Sequence, residues 1–212
     1  MVVAPAQQET VGRRPIGPAP GRLEAVRAFV NTRDIEAGTD ELSSPCALDA
    51  WMPERGLAAP SLAASEDDLR QAIALREALR EVLLTHVPAH HAAGTPADGL
   101  RTLAAGLPVR LAIGDDGAVR AEPDGEGPAA GLAAVLLIAA EAVTAGTWSR
   151  LKVCNADDCR WAFYDRSPTR SGCWCSMAIC GSRAKSRAFR RRAADQVRTR
   201  RPGGKPAGSA VS

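Results

Sequence analysis

The chain has 212 residues, and 45% of them are hydrophobic. This is enough to bury a core, so a globular protein is predicted. The formal net charge is +3. Residues 1–21 are rich in Pro, Gly and Ala without an apolar segment, so we expect a disordered tail rather than a secretory signal. A cytoplasmic protein is therefore predicted. From Arg150 onward fifteen basic residues stand against four acidic ones, a net charge of +11, whereas the preceding part carries −8.

Three helices are predicted in the first half. Residues 23–30 place large apolar side chains at helical spacing. Ser44, followed by a proline, supplies the cap of a second helix. Ser65 opens a third helix that is predicted to run to about His90, unless Pro88 ends it.

The middle of the chain predicts a hairpin and a buried helix. Residues 109–113 alternate in polarity, the turn residues 115–117 follow, and 118–121 can return as the second strand. Residues 129–145 form a continuous apolar run. Its short length and Glu141 argue against a membrane span, so a helix buried in the protein is predicted, without a membrane partner.

Catalytic motifs are missing, and an enzyme is therefore not predicted: the chain has neither a Gly-rich phosphate loop nor a nucleophile elbow. His86 and His90 lie four residues apart, but a third metal ligand is not evident, and a partly exposed helix end is the favoured interpretation. Three polar residues follow the first helix: Asn31, Thr32 and Asp34. They can bond local backbone at its end or form the site of a small-molecule effector, and both interpretations stay open.

The most informative motif consists of two cysteine pairs, Cys154 with Cys159 and Cys175 with Cys180, each with a four-residue gap. Four thiolates complete a tetrahedral site without a position for substrate, so one structural Zn²⁺ is predicted. Disulfides would need an oxidising compartment. Cys173 is an alternative to Cys175, but it would make the two gaps unequal.

A small zinc module is predicted around these cysteines. Residues 160–165 and 172–174 are expected to form a β-hairpin, and Ser176 to begin a helix that presents Cys180 to the metal. The fold class is therefore mainly α with a small β-hairpin, ending in a module like a treble clef or zinc ribbon with a trailing basic helix. Five of the eight aromatic residues lie within 161–189; they are interpreted as the module's core, with stacking on bases as the alternative.

The trailing helix is strongly basic, with ten basic residues and only Asp195 as an acid between Arg183 and Lys205. Several of the arginines fall within one arc of about 100° on the helix surface. Phe189 begins a neighbouring apolar ridge that could dock on the zinc core or on a partner subunit. A helix lined with arginines fits the major groove of DNA and can bond phosphates and guanine edges. The predicted nucleic-acid-binding residues are Arg183, Lys185, Arg187, Arg190, Arg191, Arg192 and Arg198.

The cysteine pairs, Trp161, Trp174 and the run Cys180-Gly181-Ser182-Arg183 resemble the CGNR-type zinc finger. That finger closes bacterial proteins with an N-terminal ABATE domain, described as stress-induced transcription regulators. The N-terminal half resembles them more loosely, through the run that begins at Phe29. The family's signature Asn is Ser182 here, and a hydroxyl reaches less far than an amide.

The resemblance implies a mainly helical, ABATE-like domain over 22–147 and a CGNR-type finger with a basic helix over 148–201. Residues 202–212 are predicted to form a disordered tail. The predicted function is zinc-dependent regulation of transcription through duplex DNA, with the N-terminal domain sensing an effector or mediating self-association. Two alternatives remain, an RNA-binding protein and a zinc-stabilised module that holds an acidic protein partner.

Overall fold

The computed structural model describes residues 17–60, 64–88, 90 and 95–200, and it leaves out the side chains of residues 195 and 197–200. The predicted tails at 1–16 and 202–212 therefore lie outside the described residues. Of residues 17–21, which the sequence also places in the tail, Ala19 is buried and the other four are exposed. The amide of Ala19 donates a hydrogen bond to the carboxylate of Glu24 at 2.7 Å.

The described part of the chain is mainly helical with small antiparallel sheets, as predicted. The helices are α1 (Leu23–Asn31), α2 (Pro45–Glu54), α3 (Glu66–Thr85), α4 (Ala97–Ala104), α5 (Gly127–Thr144) and α6 (Ser182–Arg200). The strands pair as β1 (Arg33–Asp34) with β2 (Thr39–Asp40), β3 (Val109–Ile113) with β4 (Val119–Pro123), and β5 (Leu151–Val153) with β6 (Ala162–Tyr164). A 3₁₀ turn, Trp148–Arg150, precedes β5, and a π-helical turn, Met177–Gly181, leads into α6.

Local sequence signals explain where the helices start and stop. Ser44 accepts a hydrogen bond from the third residue of its helix, and Ser65 forms a reciprocal capping box with Asp68. α3 ends at Thr85 rather than near His90. The residue before a proline is disfavoured in the helical region, so Pro88 stops the helix upstream of itself. The short helix α4 was not predicted.

The core is built mainly by α1, α3 and α5, whose apolar faces contribute Phe29, Leu75, Leu79 and Leu132. By length and composition α5 could cross a membrane, but half of it is buried inside the protein. The prediction of an apolar helix in the core is therefore confirmed for α5.

The hairpin predicted between residues 160–165 and 172–174 is wrong, because β6 pairs with β5 instead. Val153 lies opposite Ala162, and Leu151 lies opposite Tyr164. Leu151, Val153 and Ala162 are buried in the same hydrophobic core as α1 and α3. The sheet of the zinc region thus completes the core of the N-terminal region, because a two-stranded sheet alone buries too little apolar surface.

Two arginines on α3 are buried, and one of them, Arg80, reaches the zinc region; neither burial was predicted from the sequence. Arg80 is buried and donates to the carbonyls of Val30, at 2.7 Å, and Arg160, at 2.8 Å. Arg76 is also buried and donates to the carboxylate of Asp40 at 2.7 Å. Both occupy the helix face that carries the core leucines, so helical periodicity contained a signal for their burial.

Candidate zinc centre and nucleic-acid interface

The structure brings together the sulfur atoms of the four predicted ligands, Cys154, Cys159, Cys175 and Cys180, all within 4.8 Å of one another. The Sγ of Cys175 lies 3.6 Å from that of Cys159 and 3.6 Å from that of Cys180. Tetrahedral zinc with Zn–S bonds of about 2.3 Å needs sulfurs about 3.8 Å apart. The donor set and its size therefore fit one structural Zn²⁺, and the Sγ of Cys173 contacts the carbonyl of Ser171 instead.

The electrostatics of the cluster favour a cation. Hydrogen bonds from the thiols of Cys159 and Cys175 lower the pKa of Cys154, and the hydrogen bonds of Cys175 to Cys154 and Cys159 raise the pKa of Cys175. Burial, followed by the negative charge on Cys154, raises the pKa of Cys180. Four thiolates in so small a space need a compensating charge, which a bound metal ion would supply.

The first knuckle, residues 154–161, is shaped by its backbone. The amide of Cys154 donates to the carbonyl of Trp161 at 2.9 Å, and the amide of Cys159 donates to Ala156 at 3.0 Å. Arg160 turns the chain with a φ of 50°. Trp161 packs against the buried cysteines, as does Trp174 from the second half of the site. These two indoles therefore belong to the module's core.

A buried ion pair fixes the conformation of the loop between the two cysteine pairs. The Nζ of Lys152 lies 2.8 Å from Oδ2 of Asp165, and both residues are buried. The Asp165 carboxylate also accepts from the amides of Ser167, at 2.9 Å, and Gly172, at 2.8 Å. A Cβ at Gly172 would come within 2.9 Å of this carboxylate, so the loop requires glycine.

The second knuckle leads directly into the basic helix. The hydroxyl of Ser176 accepts from the amide of Ile179 at 3.3 Å and caps the π-helical turn that carries Cys180. Gly181 is buried, and a Cβ there would meet the sulfur of Met177 at 2.8 Å. Ser182 begins α6, and its hydroxyl donates to the carbonyl of Met177 at 3.3 Å. The metal site therefore anchors the start of α6, as predicted.

The predicted basic residues spread over several faces of α6. Arg183 pairs with Glu36 of the N-terminal region at 2.6 Å, and Arg187 pairs with Asp158 of the first knuckle at 3.2 Å. The other described members are exposed: Lys185, Arg190, Arg191 and Arg192. The side chain of Arg198 lies outside the described part of the structure. Of the six residues whose side chains are described, two are thus held by carboxylates of the same chain.

A groove of ≈ 700 Å³ runs between α6 and the first knuckle. Arg187, Arg190 and Arg191 line it from the helix, and Trp174 lines it from the zinc core. Asp157 and Asp158 form part of the opposite wall. Three arginines of the arc predicted from the sequence therefore face a groove that has positive charge on one side and an aromatic side chain within it.

Phe189 departs from the prediction that the module's aromatics form its core. It is 67% exposed on α6, on the side away from the groove-lining arginines. The apolar ridge that begins at Phe189 therefore does not dock on the zinc core at this position. The side chain of Val197, further along the ridge, is not described.

The three residues predicted as an effector site are buried and bonded within the protein. Asn31 bonds the backbone of Ala162. The hydroxyl of Thr32 donates to the carbonyl of Phe29, as local capping predicts, and accepts from Arg76. Asp34 accepts from the amide of Ala37 at 3.0 Å. The observed contacts are structural, and an effector site at these residues stays a prediction.

Two protein-family models together match most of the chain. Residues 23–146 match the model of the ABATE family, described as "Putative stress-induced transcription regulator". Residues 150–193 match the CGNR zinc finger. Among curated proteins, none matches the chain. The family match spans more than half of the sequence, so the chain belongs to the ABATE family and carries a C-terminal CGNR zinc finger.

Proposed function

We propose that this protein is a cytoplasmic, non-enzymatic regulator that binds duplex DNA through α6 and the groove beside it. The observation that carries the proposal is the set of cationic side chains on a helix whose first turn is anchored by the zinc site. Anchoring matters because a mostly polar helix such as α6 gains little stability from packing against its own chain. Contacts with phosphates and base edges would supply a partner for these arginines.

The groove face is the proposed DNA-binding side. Arg190 and Arg191 are exposed at this groove, whereas Arg187 is already paired with Asp158. Phosphate contacts release counterions, so affinity falls with salt in proportion to the number of contacts. Lys185 and Arg192 lie on the opposite side of α6 by helical spacing, and they provide a control that removes the same charge.

The test compares the double variants Arg190→Ala/Arg191→Ala and Lys185→Ala/Arg192→Ala in zinc-loaded full-length protein. Fluorescence anisotropy with duplex DNA over a salt series measures affinity and its salt dependence. We expect the groove variant to bind more weakly than the control, with a slope of log affinity against log salt shallower by about 2. Competition with unrelated sequences separates base reading from uniform phosphate binding.

If the two variants lose the same amount of DNA affinity, the DNA does not bind specifically at the groove. Unchanged affinity in both would overturn DNA binding by α6. The runner-up would then be an acidic protein partner, a function favoured by the carboxylates of Glu36 and Asp158, which already pair with arginines of this helix.

A further inference from the structure

The hairpin β3–β4 exposes an apolar face that neither the zinc site nor the proposed DNA interface explains. Leu111 is 75% exposed, Ile113 76% and Val119 63%. The register places Ile113 opposite Val119 and Leu111 opposite Ala121. Alternate residues of a strand share a face, so these side chains form one continuous surface with Val109. We call this surface, Val109, Leu111, Ile113, Val119 and Ala121, the hairpin face.

The charged residues of the two strands, Arg110, Arg120 and Glu122, lie on the other side of the hairpin. Arg110 pairs with Glu122 across the strands at 3.2 Å, and Arg120 pairs with Asp116 at 2.9 Å. Glu122 is half-buried and lines a cavity together with Arg120 and residues of α5. The hairpin face therefore carries no charge of its own, and its partner is recognised by apolar contact rather than by an acidic or basic surface.

The size of the hairpin face suits a protein interface. Its exposed area is on the order of a few hundred Å², comparable with the largest patch of a typical monomer. Two such faces packed together would remove on the order of 1,000 Å² from water, near the lower limit of specific interfaces. A two-stranded hairpin is marginal by itself, and a second pair of strands packed on its apolar side would stabilise it.

We infer that the hairpin face is the dimerisation surface of this protein, occupied by the same face of a second copy across a two-fold axis. An uncharged apolar surface is complementary to itself, which is what a two-fold interface requires. The turn of the hairpin carries exposed Asp115 and Asp116. These carboxylates disfavour an anionic lipid surface as the occupant, because such surfaces attract basic residues.

The experiment measures the mass of the zinc-loaded full chain by sedimentation over a hundredfold concentration range, without DNA. We expect a dimer whose dissociation constant rises at least about 100-fold in Leu111→Glu/Ile113→Glu, because charge is forced into an apolar interface. Phe189→Glu is the control: it adds one charge at another exposed apolar residue, on α6, and should leave the dimer intact. Circular dichroism and zinc content check that each variant is folded.

A monomeric parent protein at every concentration would overturn the inference, and so would a double variant that remains dimeric. If Phe189→Glu dissociates the dimer and the hairpin variant does not, the dimer interface lies on α6 and the inference about the hairpin face is wrong. Because DNA is left out, these outcomes do not depend on whether DNA binding is correct.

Discussion

Asn31 at the end of α1 pairs with the backbone of Ala162 in β6, 131 residues further along the chain. Its Nδ2 donates to the carbonyl oxygen at 2.9 Å, and its Oδ1 accepts from the amide at 2.7 Å. The amide side chain thus bonds the edge of the zinc-region sheet as a neighbouring strand would. The N-terminal domain and the zinc finger are joined by this contact as well as by their shared core.

Replacing Asn31 with alanine should destabilise both regions together. The buried donor and acceptor of Ala162 would lose their partners, at a cost of about 2 kcal/mol or more. Denaturation followed by tryptophan fluorescence and by far-ultraviolet circular dichroism should give coincident transitions, shifted to lower denaturant. Thr102→Ala is the control, because that exposed hydroxyl bonds only its own helix. Separate transitions for the two probes would contradict the joined core.

Loss of a zinc ligand should reach beyond the finger. In Cys180→Ser we expect bound zinc to fall well below one per chain and the thermal midpoint to drop, because metal binding and folding are coupled. The shared core carries Leu151 and Val153, so part of the helical signal should melt earlier as well. Zinc content and thermal circular dichroism measure both effects.

Cys173→Ser is the control for this variant, since the Cys173 sulfur lies outside the cluster. It should retain full zinc. A loss of zinc from Cys173→Ser, with retention in Cys180→Ser, would show that the ligand set is wrong.

The buried pair of Lys152 and Asp165 should make stability sensitive to acid. Burial alone would raise the pKa of Asp165, but hydrogen bonds from Lys152, Ser167 and Gly172 outweigh it and hold the pKa below its usual range. The stabilisation is therefore complete above the unfolded pKa of about 3.9 and is lost as pH falls toward the folded value.

Asp165→Asn should cost about 3–5 kcal/mol at neutral pH, because Lys152 stays buried without its counter-charge. The stability of the variant should also fall less steeply than that of the parent as the pH drops below about 4. Denaturant unfolding over a pH series measures both. The control Asp157→Asn changes an exposed carboxylate and should shift stability by less than about 0.5 kcal/mol. A neutral effect of Asp165→Asn would show that the pair does not hold the loop.

Ser182→Asn restores the signature residue of the finger and should be tolerated. Ser182 is exposed at the start of α6, where an amide has room and can still reach the carbonyl of Met177. We expect unchanged zinc content and a thermal midpoint equal to or slightly above that of the parent. Ser186→Asn, one turn later on α6, is the control for helix propensity alone. A clear drop specific to Ser182→Asn would mean that the turn is adapted to serine.

The sequence by itself determined the chemistry of this protein. The equal spacing of two cysteine pairs predicted the zinc site, and a basic segment after Cys180 predicted the trailing helix. Helix starts at Ser44 and Ser65 were readable because a capping hydroxyl bonds an amide only three residues away. Each of these signals is local, and local bonding does not depend on how distant segments pack.

Only the tertiary structure decided how the two regions are joined. β5 took the place expected for residues 172–174 because Leu151 and Val153 find apolar partners in α1 and α3, which sequence spacing cannot reveal. The hydrogen bonds between Asn31 and the backbone of Ala162 also depend on tertiary packing, because 131 residues separate the two in the sequence. Whether a side chain is buried depends on how the whole chain packs. Only the tertiary structure therefore shows that Phe189 and the hairpin face are exposed to solvent and that Arg80 is buried.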